Sequence, residues 1–356
     1  MLHKRVVLDF DDTLAFTSNR DWENAKPNLN LIDKCNDLYD AGWQIDIFTA
    51  RGSISCKTRQ EAMEKYGPQI EAWLNKHNVK YHLLSFDKPL AAYYVDDKGI
   101  TPEDFINTDI RELEGGLSGS DIYTDGTLVH KTADNAHAAA SWYASAKGIV
   151  NIPRIDRVVG NTLTMEYIPH DKDYFEHSTY KALALIQEAL IAFDCQEVTS
   201  SLTFNDYIAR IVGHVSNTGV PQFEEIVNKL ADIELSYGYC HGDFGIKNML
   251  FSDELIFDEV KLYLVDPITQ VFGCKELDVA KFIASLMINN YSLSHQDLAI
   301  NTMLAFNPNI NRYDLMVLTA AEIIRVYKYH PNKDFIINLV DDILASIDYG
   351  EKNVSR

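Results

Sequence analysis

The sequence has few cysteines and no long apolar run. Its five cysteines show no paired metal-binding spacing, and an odd number argues against a disulfide framework. No stretch approaches the roughly 20 apolar residues that a membrane-spanning helix needs, so we expect no membrane span. The first apolar run is interrupted at once by acidic residues, so we expect no secretory signal and a cytoplasmic protein.

Positive charge is also scarce. The 52 acidic residues outnumber the 32 basic ones and give a formal net charge of -20. Such a surface repels nucleic acid, so we expect small-molecule substrates and no polynucleotide partner. The 356 residues, 46% of them hydrophobic, are enough for two domains with separate cores, whereas the oligomeric state stays open.

The first motif is an apolar run, Arg5 to Leu8, that ends in the carboxylates Asp9 and Asp11. This pattern predicts a buried parallel strand with acids at its carboxyl end, where open α/β sheets bind their ligands. A second apolar run over residues 43–48 ends at Thr49, whose hydroxyl could bind a phosphoryl oxygen.

Two further motifs follow in the same region. Lys88, after a short apolar run, could neutralise phosphoryl charge, and Asp96 and Asp97 end another strand-like run. The four motifs occur in the order found in haloacid dehalogenase-like (HAD) phosphatases, which this region resembles. The resemblance implies an α/β domain with a parallel sheet.

The same resemblance implies roles for these residues. Asp9 would be the nucleophile that forms an aspartyl-phosphate, and Asp11 the general acid and then the base. Thr49 and Lys88 would stabilise the phosphoryl charge. The set expected around Mg²⁺ is Asp9, the carbonyl of Asp11, and either Asp96 or Asp97.

The segments between these motifs, 29–40 and 59–77, have helical periodicity and leave no room for a cap domain. The Thr-Ala-Arg-Gly and Lys-Pro patterns resemble small capless phosphatases of capsule and surface-sugar synthesis. For Arg51 two interpretations remain open: a phosphate contact or a solvated charge at a strand end.

A polar loop lies between two apolar runs in the later part of the chain, at Tyr239–Leu250. Asp243 is followed at a gap of five by Asn248, and a strand-like run then ends at Asp266. An acid that orients a hydroxyl and oxygen ligands that hold magnesium suit phosphoryl transfer from ATP. This order resembles the aminoglycoside phosphotransferase and choline kinase-like family.

The resemblance implies further ATP contacts. A glycine-rich segment over 114–120 would bring backbone amides to phosphates, and Lys131 on the next strand would bind the α and β phosphates. The residues expected to contact ATP in the glycine-rich loop and at the adenine hinge are Ser118, Gly119, Ser120, Glu166 and Ile168. Asp278 stands where relatives carry an acid that braces the loop, although a helix-start charge is equally consistent.

One feature departs from the family's pattern. The helix after Lys131 should provide a glutamate that pairs with it, but from Ala133 to Val150 the only acid is Asp134. Either a residue from elsewhere takes this role or catalysis is weakened.

We therefore predict an α/β HAD-like domain over residues 1–110, followed by a bilobal protein-kinase-like α+β domain with lobes at 111–168 and 169–356. The predicted function is a bifunctional enzyme: a small-molecule kinase that phosphorylates a hydroxyl, joined to a phosphomonoesterase, with Mg²⁺ and ATP as cofactors. The alternatives are a regulatory protein with an inactive kinase half and an antibiotic or protein kinase. A polynucleotide end-processing enzyme is disfavoured because no Gly-x-x-x-x-Gly-Lys loop occurs.

Overall fold

The computed structural model describes residues 4–17, 24–91, 99–113, 120–198, 200–216, 218–254, 259–268, 271–307 and 310–354. The chain divides into two compact units, Met1–Arg111 and Glu112–Arg356. Within the described ranges, no helix is both long enough and apolar enough to cross a membrane. Four residues predicted to bind metal or ATP lie outside these ranges: Asp96, Asp97, Ser118 and Gly119.

The first unit is built on parallel strands. Its elements are β1 (Arg5–Asp9), β2 (Ala15–Phe16), β3 (Lys26–Pro27), α1 (Leu29–Asp40), β4 (Gln44–Phe48), α2 (Arg59–Lys76), β5 (Leu83–Ser85) and α3 (Pro102–Asn107). Strands β1, β4 and β5 pair in that order, and both pairings are parallel. Their carboxyl ends therefore lie along one edge of the sheet.

Local signals explain the helices of this unit. The Asn28 side chain accepts a hydrogen bond from the Leu31 N–H at the start of α1, and Thr58 caps α2 in the same way. The buried residues Leu31 and Cys35, one turn apart, form part of the face that α1 turns to the core. The predicted helices over 29–40 and 59–77 are confirmed, the second ending one residue early.

The second unit begins with a sheet and continues with helices. Its strands are β6 (Arg111–Glu112), β7 (Asp121–Thr124), β8 (Leu128–Thr132), β9 (Ile155–Val159), β10 (Thr162–Glu166), β11 (Met249–Glu254) and β12 (Glu259–Leu264). Its helices are α4 (Ala136–Ala146), α5 (Tyr174–His177), α6 (Thr179–Asp194), α7 (Phe204–Val215), α8 (Pro221–Leu230), α9 (Lys275–Ile288), α10 (Leu293–Phe306), α11 (Arg312–Tyr327) and α12 (Lys333–Val354). A 3-10 turn spans Ile246–Asn248.

The sheet of this unit has the order β6-β7-β8-β10-β9, with antiparallel pairing from β7 to β9. Strands β11 and β12 form a separate antiparallel pair. Helices α9 and α11 pack against each other and bury almost every side chain in their middle turns. These two helices form a rigid base, because close-packed interiors resist displacement.

Phe282 of α9 tests this packing. Its side chain is fully buried and meets the Phe175 ring edge-on, with 5.8 Å between ring centroids. We expect Phe282→Ala to destabilise the second unit by about 3–5 kcal/mol, the usual cost of emptying such a site. Urea unfolding would measure the loss, with Tyr180→Ala as the control because that side chain is 77% exposed. Equal stability of the two variants would contradict the packing described.

Candidate active sites

Asp9 lies at the carboxyl end of β1, at the edge where the parallel strands end. Its Oδ2 accepts a hydrogen bond from Lys88 Nζ at 2.5 Å, and its Oδ1 accepts from the Phe10 N–H at 2.9 Å. The Lys88 and Asp9 side chains are partly exposed. Lys88 therefore orients the Asp9 carboxylate, and the partial exposure of this carboxylate leaves it accessible to a ligand.

Asp11 stands beside this pair and is held by residues that follow β4. Its Oδ2 accepts from the Thr49 hydroxyl at 3.3 Å, and both of its oxygens accept from the guanidinium of Arg51. Arg51 is only 8% exposed and lies over the Phe10 ring, 5.0 Å from its centroid. Arg51 is thus not a solvated charge, and the structure makes it part of this carboxylate cluster.

The local backbone also depends on Gly52, which follows Arg51. Its φ of +84° lies in the left-handed region, and a Cβ there would stand 2.5 Å from the Cβ of Ala62. Only glycine satisfies both conditions without displacement of α2.

In the second unit, Asp243 is the centre of a polar network. Lys281 Nζ lies 2.9 Å from its Oδ1, and Asn248 Nδ2 donates to its Oδ2 at 2.9 Å and to its backbone carbonyl at 2.8 Å. Burial by itself raises the pKa of Asp243, but Lys281 and Arg325 more than offset this and lower it. Asp243 is therefore a carboxylate at neutral pH.

The loop that carries Asp243 is fixed from below by Asp278 of α9. One Asp278 oxygen accepts from the His241 N–H at 2.7 Å and the other from the Gly242 N–H at 2.9 Å. Of the two interpretations of Asp278, the structure favours the brace. Gly242 has a φ of +80°, and a Cβ there would collide with the carbonyl oxygen of Ile268.

Asp266 reaches the same site through the backbone that follows β12. The Val265 N–H donates to the Asn248 carbonyl at 3.0 Å, and the Ile268 N–H donates to the His241 carbonyl at 3.1 Å. These two bonds fasten the Asp266 segment to the loop at both ends. The structure thus brings the predicted residues Asp243, Asn248 and Asp266 into one site.

Lys131 of β8 joins this site by an ion pair with Asp266. The helix that lacks a glutamate, α4, contributes Tyr143 instead: its hydroxyl accepts a hydrogen bond from the Asp266 N–H at 3.0 Å. Burial raises the pKa of Tyr143 far above its usual range, so the phenol is neutral. In this chain Lys131 is positioned by the acid at the end of β12, not by one on the helix.

The other expected ATP contacts are less closely defined. Ser120 is half-buried and directly precedes β7, and Ile168 is buried after β10. The Glu166 N–H donates to the Arg154 carbonyl at 2.9 Å, so this N–H is not available for adenine. The hinge assignment stays a prediction that depends on the backbone around Ile168.

The residues predicted to hold magnesium in this unit fit that ion by their oxygen chemistry. Asn248 uses its Nδ2 for Asp243, which leaves its Oδ1 as a ligand atom, and Asp266 has a second carboxylate oxygen besides the one paired with Lys131. In the part of the chain that the structure describes, no group of three or more His, Cys, Asp or Glu side chains has metal-binding geometry. In the first unit Asp9 and Asp11 share an edge, whereas Asp96 and Asp97 fall outside the described residues.

Sequence reasoning missed Lys281. The signal was available in outline, because Lys281 follows Asp278 by three residues on α9 and therefore lies on the same helix face. Because Asp278 contacts the loop at His241, the residue one turn later, Lys281, also faces the loop and contacts Asp243.

Known proteins resemble the chain in fold. The crystal structure of aminoglycoside phosphotransferase APH(4)-Ia is 14% identical, with a TM-score of 0.50, over 67% of this chain and 93% of that one. About two thirds of the chain therefore shares the fold of that structure. At this identity the likeness shows the shared fold and no more.

Other solved structures match with lower TM-scores. A choline/ethanolamine kinase family protein from Mesorhizobium loti is 16% identical over 68% of this chain and 88% of that one, with a TM-score of 0.48. A Vibrio cholerae protein is 28% identical over 30% of this chain and 89% of that one, with a TM-score of 0.27. No protein-family model matches the chain, and no curated protein matches it either.

Asp278→Asn tests the brace without reference to activity. An asparagine can accept one of the two backbone hydrogen bonds, but its amide nitrogen then faces the other N–H. We expect a loss of about 1–3 kcal/mol in stability, the range for an unsatisfied buried donor. Hydrogen exchange of a peptide covering His241 and Gly242 should become faster, whereas Asp297→Asn, an exposed change on α10, should leave it unaltered. Unchanged protection in Asp278→Asn would show that the brace does not hold the loop.

Proposed function

We propose that the second unit is an ATP-dependent kinase that phosphorylates a hydroxyl group of a small molecule. The observation that carries this proposal is the pair of backbone hydrogen bonds between the Asp266 segment and the 241–248 loop. Through them one site contains a carboxylate for the acceptor hydroxyl, two oxygen ligands for a metal and a lysine for the phosphates. This combination is what phosphoryl transfer requires.

Each residue has a role in this proposal. Lys131 binds the donor phosphates, and Asn248 and Asp266 hold magnesium. The metal supplies positive charge that offsets the charge developing on the transferred phosphoryl group. Asp243 orients the acceptor hydroxyl and accepts its proton. Lys281 lowers the pKa of this carboxyl, so it is ionised before the substrate binds.

The main alternative is a nucleotide-binding protein with an inactive kinase half. The missing glutamate on α4 favours this alternative. The Lys131–Asp266 ion pair opposes it, because the lysine has an acidic partner inside the site. ATP binding without turnover on any acceptor would favour the alternative. The first acceptors to test are sugars, amino alcohols and aminoglycosides, the last being the class named for a protein of similar fold. We place this reaction in the cytoplasm.

We further propose that the first unit is a HAD-like phosphomonoesterase. The observation that favours it is the pairing of Asp9 with Lys88 at a strand edge that also holds Asp11, Thr49 and Arg51. Asp9 Oδ attacks phosphorus and the ester P–O bond breaks; Asp11, after release from Arg51 and protonation by solvent, gives its proton to the leaving alcohol. Asp11 then takes a proton from water as the water attacks the aspartyl-phosphate, which releases phosphate and restores Asp9.

A kinase and a phosphatase acting on one position of one substrate would only consume ATP. We therefore propose that the two activities act on different positions of one substrate or on successive intermediates in the synthesis of a surface-polysaccharide precursor. Separate positions or intermediates would avoid futile consumption of ATP. The surface-polysaccharide precursor is suggested by the motif resemblance of the first unit.

Asp243→Asn tests the kinase assignment. An amide keeps the shape of the side chain but accepts a proton far less readily, so we expect acceptor-dependent ADP formation to fall by about 100-fold or more. ATP affinity should stay within about twofold, because the donor is held by other residues. The exposed change Asp232→Asn is the matched control. Full activity of Asp243→Asn would exclude this residue as the base.

Asp9→Asn tests the phosphatase assignment in the same chain. An amide cannot form the aspartyl-phosphate, so release of phosphate from a panel of phosphomonoesters should fall to background, while ADP formation continues. Asp12→Asn is the matched control: Asp12 is an exposed neighbour with a φ of +57°, a conformation that asparagine also adopts. Retained phosphate release in Asp9→Asn would refute the assignment.

A further inference from the structure

Two loops of the first unit carry the side chains assigned to phosphoryl binding. Thr49 follows β4, and Lys88 follows β5, its neighbour in the sheet. The pairing of these strands ends where the Thr49 N–H donates to the Ser85 carbonyl at 2.9 Å. Lys88 lies three residues beyond Ser85, so the strand pairing does not fix its distance from Thr49.

A local turn shapes the segment between Ser85 and Lys88. The Ser85 hydroxyl donates to Asp87 Oδ2 at 2.9 Å, and the Asp87 N–H donates to Ser85 Oγ at 3.1 Å. Both bonds stay within this segment and do not reach the loop after β4. Contact between the two loops comes instead from helix α2.

Arg59, the first residue of α2, connects the two loops. Its Nη2 donates to the Lys88 carbonyl at 2.8 Å, and its Nη1 donates to Ser53 Oγ. Ser53 Oγ in turn donates to the carbonyl of Ala50, the residue after Thr49. One half-buried arginine thus joins the backbone of Lys88 to the loop that begins at Thr49.

The planar guanidinium of Arg59 fixes the geometry of this bridge. Its terminal nitrogens are held in a rigid fork, so the two acceptors keep a set separation and orientation. Both acceptors are uncharged oxygens, and among the residues that the structure describes Arg59 forms no ion pair. The bridge therefore depends on the shape of the side chain and does not neutralise an acid.

The stability of α2 does not account for Arg59. Thr58 Oγ1 caps the helix by accepting from the Glu61 N–H at 3.1 Å, and Glu61 Oε2 accepts from the Lys57 N–H at 2.8 Å. A positive charge in the first turn of a helix opposes the macrodipole. The bonds that cap α2 therefore do not involve this arginine, and its charge is not favourable there.

We propose that Arg59 is a positioning residue of the phosphatase, which holds Lys88 and Thr49 at the separation that one phosphoryl group requires. Lys88 is paired with Asp9, the proposed nucleophile, and Thr49 with Asp11, the proposed acid. A shift of about 1 Å in either loop would misplace one of these side chains, which can slow catalysis about 100-fold. This inference rests on the proposed phosphatase function and adds a residue that does not itself touch the substrate.

The experiment uses the full chain with magnesium and follows phosphate release from p-nitrophenyl phosphate and a panel of sugar phosphates. We expect Arg59→Gln to lower kcat by about 10- to 100-fold with little change in KM, because Lys88 and Thr49 act on charge that develops in the transition state. Lys57→Gln is the matched control, since it removes a nearby positive charge from an exposed side chain and leaves the bridge intact. Its kcat should be unchanged.

Two further variants separate the shape of Arg59 from its charge. Arg59→Lys keeps the charge but not the fork, so its kcat should stay close to that of Arg59→Gln. Ser53→Ala removes one of the two acceptors. Most of its effect should disappear in the Arg59→Gln background, because the two residues act through one bridge.

Hydrogen exchange tests the bridge without reference to activity. In a peptide covering residues 83–90, exchange should be faster in Arg59→Gln than in the wild-type protein, whereas Lys57→Gln should leave it unaltered. Urea unfolding measures any general loss of stability. If Arg59→Gln unfolds the first unit, Arg59→Lys and Ser53→Ala carry the same test.

Several results would overturn the inference. A wild-type kcat in Arg59→Gln, or full recovery in Arg59→Lys, would show that the fork is not needed. Independent effects of Arg59→Gln and Ser53→Ala, or unaltered exchange over residues 83–90, would show that the bridge does not hold the Lys88 segment. These results leave the phosphatase function intact, whereas absence of phosphate release by the wild-type protein from every ester would remove that function and this inference together.

Discussion

The second unit depends on one buried carboxylate. Asp278 accepts two backbone N–H groups of the loop that carries Asp243, and burial raises its pKa to about 7 while these two bonds act in the opposite direction. The loop in turn holds the Asp266 segment by backbone bonds, and that segment holds Lys131. The buried helix α9 therefore fixes the positions of the loop, the Asp266 segment and Lys131.

Local patterns were enough to predict the elements that present the site residues. Helix α1 was predicted with its observed bounds, because its cap and its apolar face are both encoded in neighbouring residues. The loop with Asp243 and Asn248 and the strand before Asp266 were also found, since spacing along the chain decides them. In the first unit the same is true of the strand ends that carry Asp9 and Thr49.

Contacts between distant segments could not be predicted in this way. Lys131 and Asp266 are 135 positions apart, and nothing in either segment names its partner. The sequence showed only that α4 lacks a glutamate, whereas the structure shows that Lys131 pairs with Asp266 and that Tyr143 of α4 accepts a hydrogen bond from the Asp266 N–H. For the same reason Lys281 was missed and the role of Arg51 was left open. Each pairs with an acid that is distant in the sequence, Asp243 and Asp11 respectively.

The link between α4 and Asp266 has a consequence of its own. In a lysine–glutamate pairing the helix is coupled to the site by opposite charges, and such coupling weakens as salt screens it. Tyr143 couples α4 to the Asp266 backbone through a neutral, buried hydrogen bond. The hydrogen bond that holds this helix to the Asp266 backbone therefore joins two groups without formal charge, so salt screens it little.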